Sequence, residues 1–400
     1  MTRGQIHDVA VVGAGMVGAA LALDLAVRGF DVAMIESRAP APWRAADDVD
    51  LRVVALAPSS QALLAKLDTW PAIAAARASA YARMHVWDAL APGSLTFDAA
   101  DQGVSALGHI VENKLIQSVL WQAIERNGAI ALHCPARVSA TEWVDGGERE
   151  RGQRVLVLDD GSRLAARLVV AADGGDSTLR EMLGIVTDDR DYAQRAVVAH
   201  VHTERAHEAT AWQRFLPHAT IALLPLADGR CSIVWSLPEA EATRVLALDD
   251  ASFCAELGVA FDFRLGRITA TSARAAFPLR LRLAPRYVAP RFALVGDAAH
   301  VVHPLAGQGV NLGLRDAALL AEVVAAARDD QHDIASAHVL RRYERRRRSD
   351  NTLSAHAFDA IQRGFGNDSI ALAAVRGLGL ATVDRVAPLK RLFARHAAGV

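Results

Sequence analysis

Glycines and carboxylates recur together in three short stretches of this chain, each at the end of an apolar run. In the first, Asp8 to Val12 is followed at once by Gly13-Ala14-Gly15-Met16-Val17-Gly18. A helical pattern then runs from Ala19 to Arg28 with Gly29 as its cap, and a second apolar run, Asp31 to Ile35, ends on Glu36. This is the spacing a dinucleotide needs. Gly13 permits a tight turn, Gly15 lets a pyrophosphate approach the backbone, Gly18 lets helix and strand pack closely, and the acid takes a ribose hydroxyl. In the second stretch, Leu168 to Ala172 runs into Asp173-Gly174-Gly175-Asp176-Ser177 and then a helix carrying Arg180. In the third, Phe292 to Val295 stops at Gly296-Asp297, and Pro304, Gly307 and Gly309 hold off a regular helix. From Val310 the pattern turns helical, with Leu312, Leu319, Leu320, Val323 and Val324 on one broad face. A helix starting there aims free N–H groups and a positive end at something electron-rich.

An NAD-dependent dehydrogenase would use the first stretch and have no need of an acid–glycine turn near residue 297. FAD is longer, and its ribityl chain and flavin must also be held. On that reading Glu36 holds the adenosine ribose and Asp297 the ribityl or pyrophosphate region. The helix from Val310 sets its positive end by the pyrimidine edge, where reduced flavin carries negative charge.

These stretches require a scaffold, and the rest of the chain supplies one. At 400 residues it can form one large unit or two joined lobes. The expected class is α/β: a Rossmann-like FAD-binding domain, an inserted antiparallel sheet as substrate domain, and a helical C-terminal tail. FAD-binding segments are expected at 1–80, 111–188 and 285–335, substrate-domain segments at 81–110 and 189–284, and the helical tail at 336–400. The insert shows in short alternating or aromatic runs such as Trp212 to Leu216 and Ser232 to Trp235. Ser59 or Ser60 is placed to cap a helix running to Leu67, with Trp70 and Pro71 ending it. In the tail, Leu353, Ala357, Phe358 and Ile361 are spaced for one apolar face, and Leu389, Leu392, Phe393 and His396 for another.

Composition excludes several classes. A formal net charge of −1 with both signs scattered implies no nucleic-acid-binding surface. Three cysteines, Cys134, Cys231 and Cys254, form no CxxC pair and suit reduced thiols in the cytoplasm. No ligand-spaced His/Cys cluster or nucleophile elbow supports a metal site or a hydrolase. The N-terminus has no signal-like apolar region and no apolar stretch reaches membrane-spanning length. Arg345 to Arg348 reads as a solvated helix end, with an anionic membrane surface or an acidic partner as the alternative. Tyr81, Trp87, Trp121, Trp143, Trp212 and Trp235 sit at core spacings; only Trp212, Phe215 and Trp235 fall where a substrate sheet is expected.

With these motifs in place, the chain resembles the class A flavoprotein aromatic hydroxylases, and most closely the ubiquinone-biosynthesis hydroxylases that act on polyprenylated phenols. Gly13 to Gly18 matches that family's first motif, and Asp173-Gly174 with Ser177 and Arg180 its DG motif. Gly296-Asp297-Ala298-Ala299-His300, His303-Pro304, Gly307-Gln308-Gly309 and Asn311-Leu312-Gly313 match its GD motif in the quinone-pathway form. Arg52-Val53 with Ala55-Leu56 and Ser59-Ser60 is similar to the flavin-side strand, and Val111-Glu112-Asn113 with Gln117 to the helix near the flavin phosphates. The likeness extends through Gln213 to Pro217, Val234 to Ser236 and Leu389-Lys390. One departure stands out: Ala219-Thr220, after His218, replaces an expected Gly-Pro on the substrate side.

The resemblance implies reduction of FAD by transiently bound NADPH or NADH, addition of dioxygen to give a C4a-hydroperoxide, and transfer of one oxygen to an activated phenol. It implies FAD contacts at Gly13, Gly15, Gly18, Glu36, Arg52, Asn113, Gln117, Asp173, Gly174, Arg180, Gly296, Asp297, Pro304, Gly307, Gly309, Val310 and Asn311. His303, Pro304 and His218 are the candidates for the catalytic side, and Trp212, Arg214, Phe215 and Trp235 for the substrate side. It also implies a polyprenylated phenol and O2 as partners, with a peripheral membrane surface at its inner face, a quinone-synthesis complex or a homo-oligomer beyond them. Two rivals remain open: a soluble hydroxylase of a small aromatic acid, with Arg214 as carboxylate ligand, and a non-catalytic FAD protein of a quinone-synthesis complex.

Overall fold

The computed structural model describes residues 5–91, 93–144, 152–302 and 309–365, together with 377, 382–386, 388 and 390. His303, Pro304, Gly307 and the helix expected over 389–396, apart from Lys390, lie outside the described residues, as does the Phe358 side chain.

The architecture is mixed α/β, with a Rossmann-like layer, a second largely antiparallel sheet and a helical C-terminal segment. Five strands of the first sheet run parallel in the order Phe292–Leu294, Arg163–Ala171, Ile6–Val12, Val32–Ile35, Ile130–His133. Val9–Val12, Val32–Ile35, Leu168–Ala171 and Phe292–Leu294 are continuous apolar runs, as strands covered on both faces are. Helices Met16–Val27 and Gly309–Asp329 bury Leu21, Leu25, Leu314, Leu320 and Val324 in the same core. The register puts Val12 level with Ala171 and Ile35, and Ala171 level with Leu294. Gly13, Glu36, Asp173 and Asp297 therefore emerge side by side at one carboxyl edge, where ligands of open α/β sheets bind.

Among the described residues the second sheet has nine strands and centres on Asp188–Thr203, which pairs antiparallel with Cys231–Pro238, Ala275–Leu283 and Ile268–Thr271. Ala219–Pro225 and Thr210–Leu216 continue it, and Arg83–Asp88 joins Thr210–Leu216 in parallel. At the far edge, His300–Val301 pairs with Ala275–Leu283, so the segment after Asp297 is itself part of this sheet. Side chains alternate across the strands. Val197, Ala199, Ile221, Leu223, Ile233 and Trp235 form one core with helices Glu239–Leu246 and Asp250–Ala260 through Val245, Phe253 and Leu257. The other face meets the Rossmann-like half. There Ala211 and Leu224 pack with Ala55 and Ile110 of a small third sheet formed by Val53–Leu56, Gly108–Glu112 and Ala78–Tyr81.

Four expectations are corrected. Trp70 and Pro71 do not end a helix; they begin Trp70–Arg77, with Pro71 in the first turn, where its missing N–H costs nothing. The preceding helix, Pro58–Lys66, likewise opens on a proline after Ala57, with no serine side-chain cap. In the long helix Ala337–Phe365, Leu353 is 65% and Ile361 36% exposed, and Ala357 is exposed too. The inward face carries Arg347, Asn351, Ser354 and Ala355 instead. The four-arginine run is thus not wholly solvated, because Arg347 is buried. No helix among the described residues is long and apolar enough to cross a membrane.

Candidate functional site

The glycines of the first turn divide by space. A Cβ on Gly13, where φ is +101°, would meet the Ala172 carbonyl oxygen at 2.4 Å, and one on Gly18 would meet the Gly13 carbonyl oxygen at 2.0 Å. At Gly15, the residue before the first helix, a Cβ would meet nothing within 4 Å. Gly13 and Gly18 are therefore required by the protein's own packing, whereas Gly15 borders open space. That is the cradle a pyrophosphate fills at a helix N-terminus. Beside it, the Glu36 carboxylate accepts from Ala14 N at 2.6 Å and Arg38 N at 3.1 Å. Gln117 of helix Asn113–Arg126 donates to the Ala14 carbonyl at 3.4 Å. Asn113 N donates to the Arg52 carbonyl at 2.9 Å, while Asn113 Oδ1 is buried with no hydrogen-bond partner.

The second turn is tied to the third by Arg180. Its guanidinium donates to the Ala298 carbonyl at 3.0 Å and the Gly175 carbonyl at 2.9 Å, and burial lowers its pKa. Asp173 Oδ2 accepts from Leu179 N at 3.3 Å, but Asp173 Oδ1 is buried and unpartnered, and Gly174 (φ +88°) has open space at its Cβ position.

At the third turn, Gly296 has φ +60° and its N–H donates to Asp316 Oδ2 at 3.0 Å. Asp297 is exposed to water yet ringed by protein, as a carboxylate at the floor of a groove is. Burial raises its pKa, opposed by the positive potential of His300 and Arg52. Arg52 is itself exposed, with its guanidinium carbon 5.4 Å from the centre of the Phe277 ring on the second sheet. Its strand follows a coil anchored from both halves: Glu112 accepts from Asp50 N (2.7 Å) and Trp43 Nε1 (3.1 Å), and His200 Nε2 donates to the Asp50 carbonyl (3.0 Å). Gly309 and Val310 open helix Gly309–Asp329, and N–H groups in a first turn have no partner within their own helix. Asn311 does otherwise: its side chain accepts from Ala57 N and Ser60 Oγ and donates to the Ala55 carbonyl, so it splices the Arg52 strand to the helix.

The residues assigned to the substrate side part company. Phe215 faces the Rossmann-like half with Val86 and stacks on Phe365 at 4.2 Å. Trp212 and Trp235 face the helix-covered core, and Arg214 shares their face, donating to the Val259 and Ala260 carbonyls at a helix C-terminus. Alternation along the strand corrects these three assignments. On the inner face, cross-strand register sets Phe215, Thr220, Ser236, Ala196 and Phe277 in one row ending beneath Arg52. His218 sits in the exposed hairpin turn between Leu216 and Ala219, at φ +57°, its carbonyl accepting from Gln194 Nε2. His303, Pro304 and Gly307 fall outside the described residues.

Sequence reading missed Asp316 and Arg347. Asp316 is wholly buried and accepts four hydrogen bonds: Gly296 N, His300 Nε2 (2.6 Å), Arg347 Nε (2.6 Å) and Asn351 Nδ2 (3.0 Å). A signal was present, since Asp316 interrupts an apolar i, i+4, i+8 stripe between Leu312 and Leu320.

Comparison with known proteins agrees with this geometry. A family model described as "FAD binding domain" matches residues 7–353. The 3-demethoxyubiquinol 3-hydroxylase of Escherichia coli (strain K12) is 39% identical over 396 residues, covering 99% of each chain. The ubiquinone hydroxylase UbiL of Rhodospirillum rubrum is 39% identical over 396 residues, covering 99% of this chain and 90% of its own. The crystal structure of pqsL, a probable FAD-dependent monooxygenase from Pseudomonas aeruginosa, shares the fold, with a TM-score of 0.76 at 23% identity over 94% of this chain and 99% of its own.

Proposed function

The chain belongs to the FAD binding domain family, and from that premise we propose that it hydroxylates the ring of a polyprenylated phenol or benzoquinol in ubiquinone biosynthesis, using NAD(P)H and O2. The observation that carries this reading is full-length similarity to a ubiquinol-precursor hydroxylase, joined to three acid–glycine turns level on one sheet edge. When bound, FAD supplies the redox chemistry between nicotinamide, dioxygen and the ring. The protein's part is to bind, orient and exclude water. Gly15 and the first helix take the pyrophosphate, Glu36 the adenosine ribose and Asp297 the ribityl side, while Arg52 stands between the groove and the inner row of the second sheet. Buried Phe215, Thr220, Ser236 and Ala196 keep water from that row, as an oxygen-transfer step requires.

The reading as a hydroxylase of a small aromatic acid loses its carboxylate ligand, because Arg214 is spent on helix carbonyls on the opposite face. A peripheral membrane location keeps the exposed Arg345, Arg346 and Arg348 with Leu353 and Ile361 on one helix, without Arg347. Co-sedimentation with anionic liposomes at low salt tests it, and protein left in the supernatant would count against it. The function itself is tested in cells lacking the gene. The expected outcome is a prenylated phenol short of one oxygen accumulating as ubiquinone falls; an unchanged quinone pool would argue against this substrate.

A further inference from the structure

Behind the third turn lies a buried charged cluster. Asp316 is wholly buried in helix Gly309–Asp329, and its partners come from two sides. Gly296 N and His300 Nε2 come from the turn that carries Asp297, while Arg347 Nε and Asn351 Nδ2 come from the long helix. Arg347, 6% exposed, also reaches Asp350 Oδ2 at 2.6 Å and the Leu312 carbonyl at 3.4 Å. Tyr287 stacks on His300 with centroids 6.1 Å apart, and Tyr343 Oη donates to the Leu294 carbonyl at 2.7 Å, directly before the turn. On the far side the turn has no slack. A Cβ on Gly296 would meet Val17 at 3.2 Å, and one on Gly313 would meet Val17 at 2.6 Å and Gly296 Cα at 3.1 Å. The backbone flanking Asp297 is thus held by Asp316 at Gly296, by Arg180 at Ala298 and by contact with the first helix.

We infer that Asp316, ion-paired with Arg347 and hydrogen-bonded by Asn351, is the positioning residue that aims Asp297 and the first turn of the Gly309 helix into the flavin groove. A buried carboxylate bonded to four donors has one stable orientation, and that orientation dictates where the Gly296 N–H and the His300 ring must lie. Removing Arg347 leaves a buried anion short of its partner, a penalty that movement of the turn relieves in competition with protonation of the carboxylate. The inference rests on flavin binding and is independent of which phenol is the substrate.

The test is FAD binding by the full chain, well below its melting temperature, in R347M, R347K and D316N. R347M and D316N are expected to raise the Kd for FAD at least tenfold and to alter the visible absorption of the bound flavin. R347K, which keeps the charge without the fork, should recover part of the affinity. L257V, in the separate core behind the second sheet, should lower the melting temperature with no change in Kd. If R347M and D316N bind FAD with the parent Kd and spectrum while only their melting temperature falls, the cluster is a weld between helices and the inference is wrong. Should R347M not fold, N351A is measured in its place: a threefold or larger rise in Kd is expected, and an unchanged Kd overturns the proposal.

Discussion

Arg180 donates to the carbonyl of Ala298, 118 residues away in sequence, at 3.0 Å. This bond joins the turns at Asp173 and Asp297, which pairing of their parent strands has already set level. Replacing Arg180 by Met leaves the Ala298 and Gly175 carbonyls without a donor, at a cost of ~1–3 kcal/mol. R180M should bind FAD about tenfold or more weakly and melt lower with FAD than the parent; equilibrium titration with FAD checks the first and thermal scans the second.

Gly15 and Gly18 belong to one motif but fail differently. An added methyl at Gly18 collides with backbone 2.0 Å away, whereas one at Gly15 enters open space. G18A should therefore lose folded protein, an overpacking cost of ~1–3 kcal/mol or more. G15A should fold with the parent's circular dichroism and fail to retain flavin. A G15A variant that purifies yellow would remove Gly15 from the pyrophosphate cradle.

Arg214 separates the two substrate readings. As a helix-end cap its loss should cost ~1 kcal/mol of stability, with KM for the phenol unchanged. As a substrate ligand it would raise KM without that loss of stability. Urea melts and steady-state kinetics of R214M decide between them.

Asp316 makes the fold sensitive to acid. Burial alone would raise its pKa, but the charges of His300 and Arg347 and their hydrogen bonds outweigh it and hold the carboxyl down at about 2, below its ordinary 3.8. A depressed carboxylate stabilises the fold fully above the unfolded pKa, and that contribution is lost as pH falls from about 4 through about 2. The full amount is on the order of 2 kcal/mol. Urea melts of the parent at pH 5 and pH 2.5 should show that loss, and D316N, less stable at pH 5, should show a smaller fall.

The turns at Gly13, Asp173 and Gly296 were legible in the sequence because a glycine–acid step after an apolar run is a local signal. That they share one edge follows from parallel pairing, which the βαβ spacing implies for Glu36 but not for residues 160 or more positions on. Side-chain direction was less legible. Asn311 sits in the right turn, yet its amide is taken by Ala55, Ala57 and Ser60, partners some 250 residues earlier. The sequence reading put Trp212, Arg214, Phe215 and Trp235 on one substrate side, although Trp212 and Arg214 alternate with Phe215 along their strand; Trp235 joins the face of Arg214 only through the cross-strand register. Which face the helices Glu239–Leu246 and Asp250–Ala260 would cover was not written in those strands. Arg347 looked like its three neighbours because its burial is decided by Asp316 on another helix.

The most direct test of the account is oxygen transfer itself. Purified protein loaded with FAD is supplied with NADPH or NADH, a short-chain prenylated phenol and isotopically heavy O2, and the product is analysed by mass spectrometry. One heavy oxygen atom on the aromatic ring, with nicotinamide oxidised in step, is the result this structure predicts. Nicotinamide oxidation yielding only hydrogen peroxide, or no oxidation across a panel of prenylated phenols, would contradict it.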